Sequence, residues 1–174
     1  MTQISTDPFQ PDITRSAFNG EIMTEVALDY LHKEFVVMDL GVASRKRLFE
    51  ELSQLIVANS DAVSERDCIF KTLNDRERLG STGLGKGIAL PHGRLEGIKV
   101  PIIAAVKLKE PIAYDAIDGQ PVWLAICLLV PVDADETHLK LLSRLATGFS
   151  EDGFIEKLKQ AKSTDELYEI FLSI

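Results

Sequence analysis

One short stretch of the sequence concentrates glycine and ends at a histidine. Four glycines fall within eight residues: Gly80, Gly83, Gly85 and Gly87. Glycines at this density allow several backbone N–H groups to point at one anion, because glycine adopts φ angles that other residues avoid. His92 follows between Pro91 and Gly93, and the permanent charges of Arg76 and Arg94 lie on either side of it in the sequence. The stretch predicts an anion site with a nucleophilic base beside it.

The same stretch contains a partial match to a nucleotide-binding P-loop. Gly80 to Lys86 fits G-x-x-x-x-G-K, but Gly87 stands where a P-loop has the serine or threonine that binds magnesium. A P-loop also lies between a strand and a helix, whereas here a helix-like segment comes first and Pro91 opposes an early helix afterwards. We interpret the match as accidental.

The glycine–histidine stretch resembles the phosphohistidine signature of enzyme IIA of the bacterial phosphotransferase system, of the fructose/mannitol type. The run from Gly80 to Arg94 reads GSTGLGKGIALPHGR. Three later segments resemble the same family in the same order: Pro111–Val122, Leu128–Pro131 and Thr137–Leu139. The likeness covers roughly Leu31 to Ile174 and is greatest to the nitrogen-regulatory branch of the family.

The resemblance implies a phosphotransferase that accepts a phosphoryl group on His92 from a histidine phosphocarrier protein. Arg76 and His138 are implied to lie beside His92 as catalytic residues, and the attacking atom is implied to be Nε2. Backbone amides of Gly83, Gly85 and Gly87 are expected to bind the phosphate. We expect neither a cofactor nor a metal, because the sequence contains no obvious carboxylate cluster.

Three functions remain open at this point. The first is a free-standing regulatory phosphocarrier whose phosphorylation state is read by target proteins, in nitrogen- or potassium-type regulation by resemblance. The second is a sugar-specific IIA that passes the phosphate to a IIB transporter domain. The third is a non-enzymatic module that binds a free anion. For the first function we expect an apolar rim of Leu84, Ile88 and Leu90 to receive the partner proteins.

The two other histidines stand in different contexts. His32 lies between Leu31 and Lys33, away from the glycines, and we expect a partly exposed helix residue there. His138 begins a predicted helix, where free backbone amides attract anions. An ordinary histidine pKa near 6.5 leaves such rings neutral at pH 7, as a phosphoryl acceptor must be.

Composition limits the range of functions. Hydrophobic residues make up 45% and charged residues 26% of 174 residues, which is typical of one globular domain. The net charge of −8 opposes a nucleic-acid-binding surface. The longest uncharged apolar run, 121–132, is too short to cross a bilayer, so we expect no direct membrane insertion. Cys68 and Cys127 have no metal-type spacing and are expected to be core thiols in the cytoplasm.

Hydrophobic periodicity predicts an α/β fold, a mixed β-sheet with helices packed on both faces of a single domain. We expect residues 1–20 to form a flexible N-terminal extension, and 21–174 to form the domain that resembles the IIA type 2 family. The predicted strands are 35–38, 101–108 and 122–130. The predicted helices are 21–31, one capped by Ser44, one capped by Ser64, 138–149, 154–161, and a last one capped by Ser163.

Overall fold

The computed structural model describes residues 30–63, 65–134 and 136–173. Within them the chain forms six strands and five helices. In chain order these are β1 (Leu31–Leu40), α1 (Arg45–Asn59), α2 (Arg66–Arg78), β2 (Gly83–Gly85), β3 (Ile88–Ala89), β4 (His92–Leu95), β5 (Ile102–Ile112), β6 (Val122–Pro131), α3 (Glu136–Gly148), α4 (Asp152–Gln160) and α5 (Thr164–Leu172).

The strand β6 organises the sheet. It contains no charged residue, and almost all of its side chains are buried. A strand buried on both faces belongs in the interior of a sheet, and β6 pairs antiparallel with β5 on one side and parallel with β3 and β4 on the other. The strand order is β1-β5-β6-β3-β2, with β4 paired to β6 beyond β3. The predicted mixed sheet is confirmed.

Helices cover both faces of this sheet. On one face α1 and α2 bury Leu48, Leu52, Ile69 and Leu73 against it. On the other face α3, α4 and α5 contribute a second cluster, which includes Leu141, Leu145, Ile155, Leu158, Leu167 and Phe171. The apolar positions recur every three or four residues along each helix, which is the spacing that places them on one side.

Two of the three predicted helix caps are observed. The side-chain oxygens of Ser44 and Ser163 accept hydrogen bonds from the third residue beyond each, at 3.1 Å, as N-caps do. The Ser64 prediction lies outside the described residues, as do the predicted extension at 1–20 and most of the predicted helix at 21–31. The last residue of that predicted helix, Leu31, is in β1.

Three predictions about single residues are wrong. Leu31 pairs with Ile103 of β5, so β1 begins four residues earlier than expected and His32 is an exposed strand residue. Cys68 is exposed, because the buried stripe of α2 runs through Ile69 and Leu73 and leaves it on the other side. Cys127 does lie in the core, where burial raises the pKa of its thiol to about 12.

A tight turn joins β2 to β3 in the glycine-rich stretch. Gly85, Lys86 and Gly87 all have positive φ angles, of 92°, 57° and 80°. A Cβ on Gly87 would lie 2.1 Å from Cδ1 of Trp123. The carbonyl of Gly87 accepts a hydrogen bond from the backbone N–H of Trp123 at 2.8 Å. The stretch therefore forms strand, turn and strand where a P-loop would begin a helix.

We predict that Gly87→Ala lowers the free energy of unfolding by roughly 2–4 kcal/mol, since it combines a positive φ with a clash against Trp123. Gly153→Ala is the matched control, because Gly153 lies in α4 with open space around its Cα and no positive φ. Alanine there should leave stability unchanged or raise it by at most ~1 kcal/mol. Urea denaturation measures both, and equal stability of the two variants would contradict the prediction.

Candidate active site

The close approach of α2 to β4 creates the site. Gly93 follows His92 in β4, and a Cβ added to it would lie 2.5 Å from Cγ2 of Thr72 in α2. Helix and strand can meet at this distance only because residue 93 has no side chain. Arg76 lies one helical turn beyond Thr72 on the same side of α2, which places its guanidinium at the His92 ring.

The hydrogen bonds of His92 determine where its proton is. Nδ1 lies 2.8 Å from the carbonyl oxygen of Leu90, and Nε2 lies 3.2 Å from Nε of Arg76. A carbonyl only accepts and a guanidinium only donates, so Nδ1 carries the hydrogen and Nε2 has a free electron pair. The Leu90 carbonyl therefore accepts the hydrogen bond from Nδ1–H. A further bond of 2.9 Å, from Arg76 Nη1 to the Gly80 carbonyl, holds the guanidinium in place.

His138 lies beside His92 at the beginning of α3. The two ring centroids are 5.8 Å apart, and the rings meet edge to face at 62°. Both ring nitrogens of His138 are buried, and neither has a hydrogen-bond partner among the residues that the structure describes. A buried polar atom without a partner is costly, so this ring can bind an added polar group with little competition from the described residues.

Arg94 holds the turn that leads into α3. Its Nη1 donates to the carbonyl oxygen of Val132 at 2.9 Å and also to that of Ala134. These bonds tie β4 to the connection between β6 and α3, and so help to set the position of His138. Arg76 therefore contacts His92, whereas Arg94 helps to position His138.

The surroundings keep both rings neutral. Burial lowers the pKa of His92 from 6.5; the hydrogen bond to Leu90 raises it and the charge of Arg76 lowers it further. Burial also lowers the pKa of His138, and the neighbouring His92 and Arg94 act in the same direction. The charged imidazolium form is disfavoured in an apolar region that already contains positive charge, so at pH 7 both imidazoles retain a free electron pair.

A buried carboxylate lies next to Arg76, and sequence reasoning missed it. Glu77 is only 6% exposed, and both of its carboxylate oxygens accept from the backbone N–H of Thr82 at 3.2 Å. The Thr82 hydroxyl donates to it as well, and Arg45 Nη1 lies 3.4 Å away. The one available signal was its spacing, because Glu77 continues the buried stripe of Ile69 and Leu73.

The three glycines predicted to bind phosphate have neighbours of their own. The space where a side chain would stand is filled at Gly83 by Ala116, at Gly85 by Asp118 and at Gly87 by Trp123. The hairpin pairs with β6 at Leu124 and Ala125, whereas His92 pairs with Leu128, which is about 10 Å further along the strand. These contacts give the glycines a packing role, and phosphate binding by their amides stays a prediction.

Two further properties concern the described residues as a whole. No group of three or more His, Cys, Asp or Glu side chains within them is arranged to hold a metal ion. Among their helices, none combines the length and the apolar composition that a bilayer span requires. The chemistry that the site shows is that of a neutral imidazole with cationic and polar neighbours.

Comparison with known proteins gives consistent matches. The family model described as phosphoenolpyruvate-dependent sugar phosphotransferase system, EIIA 2, matches residues 29–174. The chain is 40% identical over 141 residues to the nitrogen regulatory protein of Klebsiella oxytoca, which covers 80% of this chain and 86% of that protein. It is 30% identical over 141 residues to a fructose-specific EIIA component of the phosphotransferase system from Haloferax volcanii, covering 81% and 91%.

A solved structure agrees with these matches. The nitrogen regulatory protein IIA-Ntr from Neisseria meningitidis superimposes with a TM-score of 0.78 at 41% sequence identity, covering 83% of this chain and 97% of that one. A likeness of this size, over almost the full length of the other protein, extends to the sheet, the helices on both faces and the connections between them.

We predict that both histidines of the candidate site titrate below the ordinary value of 6.5, because burial and nearby cations lower their pKa. Below about pH 6.5 the unfolded chain takes up these protons before the folded protein does. The two rings therefore cause no loss of stability above that pH and lower the free energy of unfolding as the pH falls below it.

Proton NMR of the ring Cε1–H groups measures the two midpoints directly. Urea denaturation at pH 7.5 and pH 5.5 measures the linkage, and a His92→Gln/His138→Gln double variant should lose the part of the pH dependence that these rings cause. A His92 midpoint at or above 6.5 would show that the surroundings of the ring do not disfavour its charged form.

Proposed function

This chain belongs to the phosphotransferase-system EIIA type 2 family, as its glycine–histidine stretch implied, and we propose that it carries the phosphoryl group on Nε2 of His92. Carriage of a phosphoryl group is the role of this family. The observation that supports His92 is its pair of hydrogen bonds, which leaves Nε2 unprotonated and pointing at a guanidinium. The donor in the proposal is a histidine phosphocarrier protein.

The proposed step exchanges one nitrogen–phosphorus bond for another. The Nε2 electron pair attacks phosphorus in line with the bond to the carrier's phosphohistidine, and that bond breaks with its electron pair remaining on the carrier nitrogen. The His92 ring becomes positively charged as the new bond forms. Its Nδ1–H then donates more strongly to the Leu90 carbonyl, which stabilises the charge where it develops.

Arg76 and His138 would hold the phosphoryl oxygens. In the unmodified protein Arg76 Nε–H occupies the Nε2 electron pair at 3.2 Å, so the guanidinium must move from nitrogen to phosphoryl oxygen when phosphorus arrives. The guanidinium has only a short distance to move, because phosphorus bonds to the same Nε2 electron pair that the guanidinium leaves. His138 has both ring nitrogens buried and unpartnered within the described chain, and its neutral ring can donate one hydrogen bond to a phosphoryl oxygen.

Regulation of target proteins is the proposed use of the phosphate. A phosphoryl group adds between about −1.5 and −2 charges to a surface that contains Arg76 and Arg94. A target that buries the unmodified ring would have to desolvate those charges in the modified protein, which weakens binding strongly. The relatives that are named nitrogen regulatory proteins support this use, and the proposal places the exchange in the cytoplasm.

Two other functions give different outcomes in the same experiments. If the chain serves sugar transport, which the fructose-specific relative favours, a cysteine-bearing IIB protein should accept the phosphate rapidly. If it is an anion-binding module, the phosphocarrier should leave no covalent phosphate on it.

Exposed aliphatic residues next to the site provide a surface for the carrier. Leu79 is 85% exposed three residues beyond Arg76, and Leu139 is 67% exposed directly after His138. Two members of the rim predicted from sequence, Ile88 and Leu90, are buried, because Ile88 and its neighbours pair with β6 inside the sheet. Leu84, the third predicted member, is 41% exposed, so the proposed apolar rim consists of Leu84 and the exposed leucines that follow Arg76 and His138.

We predict that incubation with a charged phosphocarrier mixture adds one phosphoryl group, labile in acid and stable in base as a phosphoramidate is. His92→Ala should abolish the addition, since it removes the attacking nitrogen, and His32→Ala should leave it unchanged because His32 is exposed in β1. Intact-protein mass spectrometry measures the addition. Phosphate that persists on the His92 variant would remove this residue from the proposal.

A second prediction tests the docking surface. Leu139→Ser should raise the Michaelis constant for the phosphorylated carrier about tenfold, which corresponds to ~1.4 kcal/mol of lost contact, with little effect on the maximal rate. Ile117→Ser is the comparison, because Ile117 is 89% exposed but lies beyond the Val122 end of β6. Equal losses in both variants would show that the carrier does not dock preferentially at Leu139.

A further inference from the structure

We propose that Glu77 is a positioning residue for phosphoryl transfer, which acts by holding Arg76 against His92. The inference rests on the function proposed above and adds a residue that touches neither the ring nor the phosphoryl group. Its evidence is the buried hydrogen-bond network around the Glu77 carboxylate.

A chain of donors ends on this carboxylate. The Thr82 hydroxyl donates to Oε2 of Glu77. Because that hydroxyl has only one hydrogen, Tyr114 is the donor in the 2.8 Å contact with Thr82 Oγ1, and the same tyrosine hydroxyl also lies 3.5 Å from Oε2 of Glu77. Burial raises the pKa of Tyr114 far above its ordinary value, so the tyrosine remains a donor at every relevant pH.

Arg45 closes the network from the other side. Its Nη1 lies 3.4 Å from Oε1 of Glu77 and donates to the Tyr114 carbonyl at 2.8 Å. The carboxylate thus joins the beginning of α1, the last turn of α2, the segment at Thr82 and the connection between β5 and β6. Four separate parts of the chain meet at one side chain.

The network reaches Arg76 through the segment between Arg78 and Thr82. Leu79 N–H and Gly80 N–H donate to the carbonyls of Arg76 and Glu77 at 3.2 Å, which ends α2. The Gly80 carbonyl in turn accepts from Arg76 Nη1 at 2.9 Å. Because Glu77 binds the Thr82 N–H with both oxygens, it fixes the return of the chain and therefore the carbonyl that orients the guanidinium.

Packing alone would favour a different residue at position 77. Glu77 continues the stripe of Ile69 and Leu73, where a leucine or methionine would bury apolar surface without desolvating a charge. Replacing buried ionic groups by well-packed apolar residues is often neutral or stabilising in proteins. A carboxylate at position 77 is explained if it holds the segment between Arg78 and Thr82 in one geometry, which an apolar side chain could not do because it has no hydrogen-bond acceptor.

Thr82→Val tests this role, since it removes the hydroxyl while keeping the backbone N–H and the side-chain shape. We expect the transfer rate from a charged carrier to fall about tenfold, and Thr82→Ser, which restores the hydroxyl, to return within about twofold of the wild type. Asp75→Asn is the matched control. It removes a carboxylate from the same helix, but Asp75 is at the surface and pairs with Lys71.

The decisive measurement is a double-mutant cycle with Arg76→Ala. If Glu77 and Thr82 act through Arg76, adding Thr82→Val to Arg76→Ala should change the rate by no more than about twofold, because the positioned group is already gone. Independent, multiplying losses would overturn the proposal. So would an unchanged rate in Thr82→Val and in a folded Glu77→Gln variant, since it would reduce the network to a contribution to stability.

Nitrogen-15 NMR of the unphosphorylated protein separates this inference from the proposed function. The Arg76 Nε–H signal should show its hydrogen bond to His92 in the wild type and in Asp75→Asn, and should lose it in Thr82→Val. If the wild type accepts no phosphate from any carrier, the proposed function fails while this readout still decides the positioning role. Retention of the bond in Thr82→Val would contradict the positioning role whatever the kinetics show.

Discussion

The hydrogen bonds at the two nitrogens of His92 constrain the rest of the site. A carbonyl at Nδ1 and a guanidinium at Nε2 permit one neutral tautomer, with the electron pair directed at the Arg76 guanidinium. Two features of the structure produce these two hydrogen bonds. The chain itself turns at Leu90 and Pro91 to bring a carbonyl to the ring, and a helix approaches from outside to bring the arginine.

Helix α2 can approach β4 because residue 93 has no side chain, and the buried carboxylate of Glu77 holds the helix there. Gly93 lets α2 contact β4 at Thr72, and Glu77 ties the end of α2 to Thr82, Tyr114 and Arg45. Neither feature belongs to the reacting groups. Each nevertheless limits where Arg76 can lie, so the geometry of the site depends on the packing between a helix and a strand as much as on the site residues.

Sequence patterns predicted the parts of the fold that depend on local rules. The uncharged run at β6 and the serines that cap α1 and α5 are read from composition and spacing. The glycine–histidine stretch indicated the family, and Arg76 and His138 do lie beside His92. Patterns failed where a tertiary contact decides the outcome, as with the strand pairing of Leu31 and the outward side of Cys68. Glu77 was missed because its helical spacing indicates burial but does not indicate the partners of its carboxylate, which lie in three other segments.

The ring nitrogens of His138 bear on the phosphorylation proposed for His92. Leaving a buried polar group without a hydrogen bond costs about 1–3 kcal/mol, and in the described chain both ring nitrogens of His138 are in that condition. Under the proposed function a phosphoryl oxygen would accept a hydrogen bond from one of them, which would offset part of that cost. The Arg76 bond at His92 Nε2 would change in the same direction, since a bond to a neutral nitrogen would be exchanged for a bond to an ionised oxygen. Both changes are of the kind that phosphoryl transfer to His92 would require, if His92 accepts the group as proposed.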